Sequence, residues 1–377
     1  MGVRRLALPA LAFLVAVAYW PFWEGGALTP RWMLMALGVL LLWGTPIRMT
    51  RVHWLGLAYI AFAAASGLWA PQFWGWAQQI WVLLLLGGVF CLAAEADDLQ
   101  PTYLAFAAGV ALSGFLAVPE ALDWIWLPNT NHPAGLFGNR NYLAEAGVIA
   151  LIVVLPQWRR AVVWPIYLGL ALAIALPRAR GALFGLDVVL IVYFLRHNSV
   201  VGAALLLATA AAGWLMLGDP SRPEIHYANT MLLRLAIWWS TLAHATLFGH
   251  GLGSFYTEYP LWTPHLSIIG TRPDHPHNEV VYVIAELGLP GLILWLAFFG
   301  IVLRWAHGVS RLALLALLAI GCTSFPLHVP VTGFVCALLA GDAVGTRRRV
   351  LCDERDRRES LHGRLGRRPL EHAAACA

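Results

Sequence analysis

Around residue 275 the chain reads Asp274-His275-Pro276-His277-Asn278, and the pattern after it is that of a helix running to Gly288-Leu289-Pro290-Gly291. This places His277 just before a helix N-terminus. The positive end of the helix dipole disfavours imidazolium there and lowers the histidine pKa. A neutral imidazole near pH 7 accepts a proton from a sugar hydroxyl. Asn278 can either cap the helix or hold a hydroxyl. Pro290 offers no N–H to the carbonyl of Glu286, so a kink is expected at Pro290. The plainer alternative is a surface histidine beside a capped helix. Asp274, His275 and His277 are also zinc-ligand types. Two histidines at i, i+2 in a proline-bearing loop make a poor tetrahedral set, so no metal or other cofactor is expected.

Three further groups carry charge or hydrogen-bonding chemistry. Arg178-Ala179-Arg180-Gly181-Ala182 stands at the end of an apolar run. A guanidinium bordering hydrocarbon is costly unless paired, and a pyrophosphate is a good partner for its two parallel N–H donors. An arginine reaching to lipid headgroups is the alternative. Arg234 lies on the polar face of an amphipathic stretch, 230–247, with Phe248-Gly249-His250-Gly251-Leu252-Gly253-Ser254-Phe255 after it. Gly251 and Gly253 are expected to let backbone N–H groups approach an anion, unless the segment is simply a turn between helices. The fourth group is Gly138-Asn139-Arg140-Asn141-Tyr142, with Glu145 one turn further. Asn139 and Asn141 suit a hydroxyl-rich ligand, Arg140 adds a cation, and Glu145 is expected to pair with an arginine. A turn followed by a helix cap would also explain the segment.

Long apolar runs must carry these groups. The chain has 377 residues, 60% hydrophobic and 12% charged, against about 25% charged in soluble domains. Apolar runs at 6–22, 30–46, 53–69, 79–94, 101–118, 140–156, 161–176, 181–195, 199–217, 279–303, 310–325 and 328–345 predict an all-α, polytopic bundle of about twelve spans. All 25 basic residues are arginine, and residues 347–377 hold nine of them against five acids. Arginines at 4/5, 48/51, 159/160, 196, 304/311 and in that tail put the N-terminus and the segment 346–377 in the cytoplasm. The loop bearing Glu95, Asp97 and Asp98 has no compensating arginine of its own. The four groups then share the opposite face, which also receives the two long connections, 119–139 and 219–278. The reading is one membrane domain, 1–345, with a long outer loop at 219–278 holding an amphipathic helix. The cysteines at 91, 322, 336, 352 and 376 have neither metal nor disulfide spacing. The tail lacks aromatic interleaving, so no nucleic-acid partner is expected.

Over roughly 135–305 the chain resembles the O-antigen ligase and polymerase family of membrane glycosyltransferases. The likeness rests on Gly-Asn-x-Asn-Tyr-Leu-Ala at 138–144, Arg-Gly-Ala at 180–182, Arg234 with the 248–255 string, and His277-Asn278 with Gly288-Leu289-Pro290-Gly291. It departs at Arg140, where the family often has a small residue or proline. The resemblance implies a GT-C-like fold in the bacterial inner membrane, with its active site facing the periplasm. It implies an undecaprenyl-diphosphate-linked glycan donor, held by Arg180 and Arg234, and an acceptor hydroxyl activated by His277. The expected partners are that donor, lipid A–core or a growing glycan as acceptor, and membrane lipids. The expected activity is a metal-independent, ligase-like glycan transfer. Alternatives are an O-antigen or exopolysaccharide polymerase, a protein O-oligosaccharyltransferase, and, from another class, a lipid transporter or flippase. A transporter predicts repeated halves, and none is evident.

Overall fold

The computed structural model describes residues 2–19, 29–42, 46–128, 131–217, 230–263 and 274–364. Of the long connection, 219–229 and 264–273 lie outside the described residues, as does 365–377 of the arginine-rich tail. The regular elements among the described residues are all helical. They are α1 (Gly2–Val17), α2 (Thr29–Leu42), α3 (Arg51–Ala65), α4 (Phe73–Ala94), α5 (Gln100–Ala121), α6 (Arg140–Val154) and α7 (Trp164–Ala175). These are followed by α8 (Arg180–His197), α9 (Ser199–Leu217), α10 (Thr230–Ala243), α11 (Phe255–Trp262), α12 (Glu279–Trp305), α13 (Gly308–Gly321) and α14 (Pro330–Arg364). Each apolar run coincides with one helix, and the amphipathic stretch is α10. Among the described residues, α4, α5 and α12 are long and apolar enough, by length and composition, to cross a membrane.

The outside of the bundle is greasy. Met33, Leu40, Trp54 and Leu207 are each more than 60% exposed, an arrangement suited to hydrocarbon rather than water. The inside is rich in Ala and Gly. A Cβ on Gly114 of α5 would stand 2.0 Å from the carbonyl oxygen of Gly169 in α7, so only glycine permits that approach. Small residues at helix contacts replace the hydrophobic drive that lipid does not supply.

Two features add to the sequence expectations. The acidic loop after α4 is compensated from a distance. Arg348 of α14 grips Glu95 with Nη1 at 2.5 Å and Nη2 at 2.8 Å, and the Arg48 N–H donates to the same carboxylate at 2.9 Å. Burial pushes the Glu95 carboxyl up, and these bonds outweigh it and hold it below the usual range. The last apolar run and the first part of the arginine-rich segment share one helix, since α14 runs without interruption to Arg364.

At the other end of the bundle, α12 starts at a full cap. Asn278 Oδ1 accepts the N–H groups of Val280 and Val281, at 3.0 and 3.1 Å. The break in α12 falls at Gly288, with φ 61° and ψ −159°, two residues before Pro290. The glycine loop splints this break. Gly251 N–H takes the Glu286 carbonyl that Pro290 cannot serve, and His250 N–H takes that of Ala285, both at 2.9 Å. Leu289 N–H turns to the carbonyl of Leu247, also at 2.9 Å.

Candidate active site

The turn between α13 and α14, residues 322–329, is where the separate groups meet. Arg234 Nη1 donates to the Thr323 carbonyl at 2.7 Å, and Asn278 Nδ2 donates to the Cys322 carbonyl at 3.0 Å. Gly181, next to Arg180, lies so close that a Cβ on it would be 3.0 Å from Thr323 Oγ1. Phe325 is the aromatic hub of the turn. Its ring centroid lies 4.1 Å from that of His275, 5.2 Å from His277 and 6.0 Å from Tyr142. Residues of α6, α8, α10 and the start of α12 therefore border one turn.

Two arginines and a buried acid stand at the turn. Arg180 is exposed and Arg234 half-buried. Burial lowers the Arg234 pKa, the Glu145 carboxylate raises it, and the Arg180 charge lowers it further. Glu145 is buried in α6 and hydrogen-bonds Ser324 of the turn. Glu145 faces Arg234, and Arg180 stands close enough to act on Arg234 as a second cation, so two guanidiniums adjoin each other here. On α10 the arginine side is turned toward the protein: Ile237 and Thr241 are buried. Leu235, Trp239 and Leu242 point away, with Trp239 78% exposed. The amphipathic helix thus presents its apolar residues outward and its cation to the turn.

The surroundings of His277 favour its neutral form. Burial drives its imidazole down to about 4, and the Arg234 charge pushes the same way. Burial also drives His275 down to about 3, with His328 and His277 adding to it. His277 has a φ of 55°, the left-handed region that a residue with a Cβ avoids. Backbone strain of this kind gathers at functional positions.

The chain matches no family model and no curated protein.

The arrangement separates the expected binding residues into two sets. Arg180, Arg234 and His277 border the turn. Asn139 is occupied as the cap of α6, its Oδ1 accepting Asn141 N–H at 2.9 Å, while Arg140 is exposed beside it. The loop before α6 is fixed by backbone bonds from Asn131 N to Gly138 O and from Arg140 N to Asn131 O. Asn278 spends its amide on the cap and on Cys322. Gly251 and Gly253 are tied to a residue of the protein itself. The Gly253 and Phe255 N–H groups bond the carboxylate of Glu286, and Gly251 N–H holds that residue's carbonyl. These bonds fix the bend of α12.

Sequence reasoning missed the turn itself. Thr323, Ser324 and Phe325 sit in what reads as the end of an apolar run, and nothing in their types announces a hub. Glu279 and His328 were also missed. Glu279 Oε1 accepts Leu327 N–H at 2.7 Å, and its Oε2 lies 3.3 Å from His328 Nδ1. The available signal was a histidine in the short break between the last two runs, opposite an acid that follows Asn278.

Proposed function

We propose that the protein is a ligase-like membrane glycosyltransferase, moving a glycan from undecaprenyl diphosphate to an acceptor hydroxyl, with lipid A–core as the acceptor. What supports the reading is the single turn bordered by Arg180, Arg234 and His277. In this reaction the acceptor oxygen bonds to the sugar's anomeric carbon while the bond from that carbon to the diphosphate breaks. Negative charge grows on the departing diphosphate, where the two guanidiniums lower its energy. His277 takes the acceptor's proton. An imidazole with so low a pKa is by itself a weak base. A diphosphate bound beside Arg234 offsets the part of that lowering due to the guanidinium, so the donor itself makes His277 a better acceptor. We further propose a twelve-span bundle of GT-C type in the inner membrane, with this turn facing the periplasm.

The test is direct. Purified protein in lipid nanodiscs, given undecaprenyl-diphosphate-linked glycan and lipid A–core, should yield glycosylated core with or without chelator. His277→Ala, Arg180→Ala and Arg234→Ala should each remove the product. A polymerase or a protein O-oligosaccharyltransferase would use the same three residues on a different acceptor. A deletion strain separates the first two: loss of all glycan from the core means ligase, and a single repeat on the core means polymerase. Intact transfer by His277→Ala, together with lipid movement across vesicles, would replace this reading by a transporter.

A further inference from the structure

A cavity of about 350 Å3 lies between α3, α4, α12 and α14, and neither Arg180, Arg234 nor His277 lines it. Its walls are almost wholly apolar. Leu57 of α3 and Leu84 of α4 belong to those walls and are 45% and 49% exposed, so the cavity has a lateral mouth between the two helices. Along α12 the lining extends from Glu279 to Phe299, on both sides of the break at Gly288. The space is long and greasy and opens toward lipid.

One end of it is polar and incompletely satisfied. Glu279 is 2% exposed, and its Oε2 has no hydrogen-bond partner. His328 Nδ1, 3.3 Å away, is also without one, because the two do not align. Glu286 and Tyr282 stand beside them, and no arginine or lysine lines the cavity. Glu279 already has His328 as its charge partner, so a phosphate, carboxylate or ammonium head would bury a further charge with none left to pair it. A hydroxyl can donate to Glu279 Oε2 and accept from His328, which matches the two idle atoms. His53 Nε2 is unpartnered near the opposite end, a single group against this cluster.

We propose that this cavity binds one long alkyl chain ending in a hydroxyl, with its head against the Glu279–His328 pair. The inference is independent of the glycosyltransferase reading, since its ligand carries no phosphate.

Trp295 lines the cavity and reports on it. Titrating nanodisc-embedded protein with ω-bromododecanol should quench tryptophan fluorescence saturably, and the saturable part should vanish in Trp295→Phe. Gly87→Leu or Gly56→Leu, each placing bulk in the cavity, should also abolish it, with the thermal midpoint checking that each folds. In the unaltered protein, dodecanol should slow alkylation of Cys336, another lining residue, by N-ethylmaleimide. ω-Bromododecanoate and ω-bromododecylamine should each bind at least about tenfold more weakly than the alcohol. Glu279→Gln should narrow the gap for the carboxylate, and His53→Phe should change nothing. Unsaturable quenching, equal affinity for alcohol and carboxylate, tighter binding of the amine, or binding lost in His53→Phe but unchanged in Glu279→Gln would each overturn the proposal.

Discussion

Arg234 on α10 donates from Nη1 to the carbonyl oxygen of Thr323, at 2.7 Å. The bond uses part of the guanidinium to hold the turn and aims the rest of a half-buried cation at the space before it. A lysine keeps the charge but loses the planar fork. Arg234→Lys is expected to lower kcat/KM for the lipid-linked donor by about 10- to 100-fold, since a hydrogen bond from a charged group contributes about 1.5–3 kcal/mol. Inhibition by added pyrophosphate should weaken in parallel. An unchanged kcat/KM would make Arg234 a strut only.

His277 can accept a proton only while neutral. With its imidazole at about 4 in the free protein, kcat/KM should stay level below neutral pH and drop as the pH falls through about 4. The acid limb of kcat should lie higher, because bound diphosphate offsets the push from Arg234. Stability has its own window. Between about 4 and an unfolded value near 6.5, the unfolded chain carries a proton that native His277 lacks. The thermal midpoint should therefore decline as pH is lowered across that interval and flatten below it in this respect. His277→Asn should remove that part of the decline.

The left-handed backbone at His277 separates structural from chemical roles. Asn adopts this conformation more readily than His, and Gly does so at no steric cost. His277→Gly is expected to relieve strain of about 1–2 kcal/mol, less what the ring loses against Phe325. Both variants should fold with near-native thermal midpoints and have no transfer activity. Activity retained in either would remove His277 from the proton transfer.

The splint at the bend of α12 gives a contrast between neighbours. A Cβ on Gly249 would stand 2.3 Å from the Glu286 carbonyl group, and one on Gly288 would stand 2.1 Å from Leu247 O. Gly249→Ala and Gly288→Ala should therefore reduce folded protein sharply, as read by size exclusion in detergent. Pro290→Ala should be mild, because Gly251 already satisfies the Glu286 carbonyl and the break lies at Gly288.

The grip of Arg348 on Glu95 should be visible in acid. The carboxyl is held below its usual range, so its contribution is present above the ordinary glutamate pKa and lost as pH falls through the lowered one. Arg348→Ala should lower the thermal midpoint at neutral pH, and the difference from wild type should close as Glu95 becomes protonated.

The helices were legible in the sequence because lipid-facing segments must be apolar over their whole length. Twelve runs marked twelve helices, and the amphipathic pattern marked α10. The caps at Asn139 and Asn278 were legible too, since a short amide before an apolar run has few other uses. What escaped was pairing between distant segments. The 248–255 segment reads as an anion cradle, and its N–H groups bond the side chain and backbone carbonyl of Glu286, some thirty residues further along the chain. The kink was misplaced for the same reason. A proline predicts a missing bond, while the position of the break depends on which chain supplies the replacement. The turn at 322–329 was hidden because Thr, Ser and Phe at a helix end carry no signature until four other segments close on it.

The backbone bonds from the glycine loop also decide what kind of joint α12 has. Straightening it would leave the donors of His250 and Gly251 and the acceptor of Leu247 without partners at once, in a region with little water to replace them. The bend is therefore a fixed elbow and not a working hinge, and any motion that admits substrate must come from the segments around it.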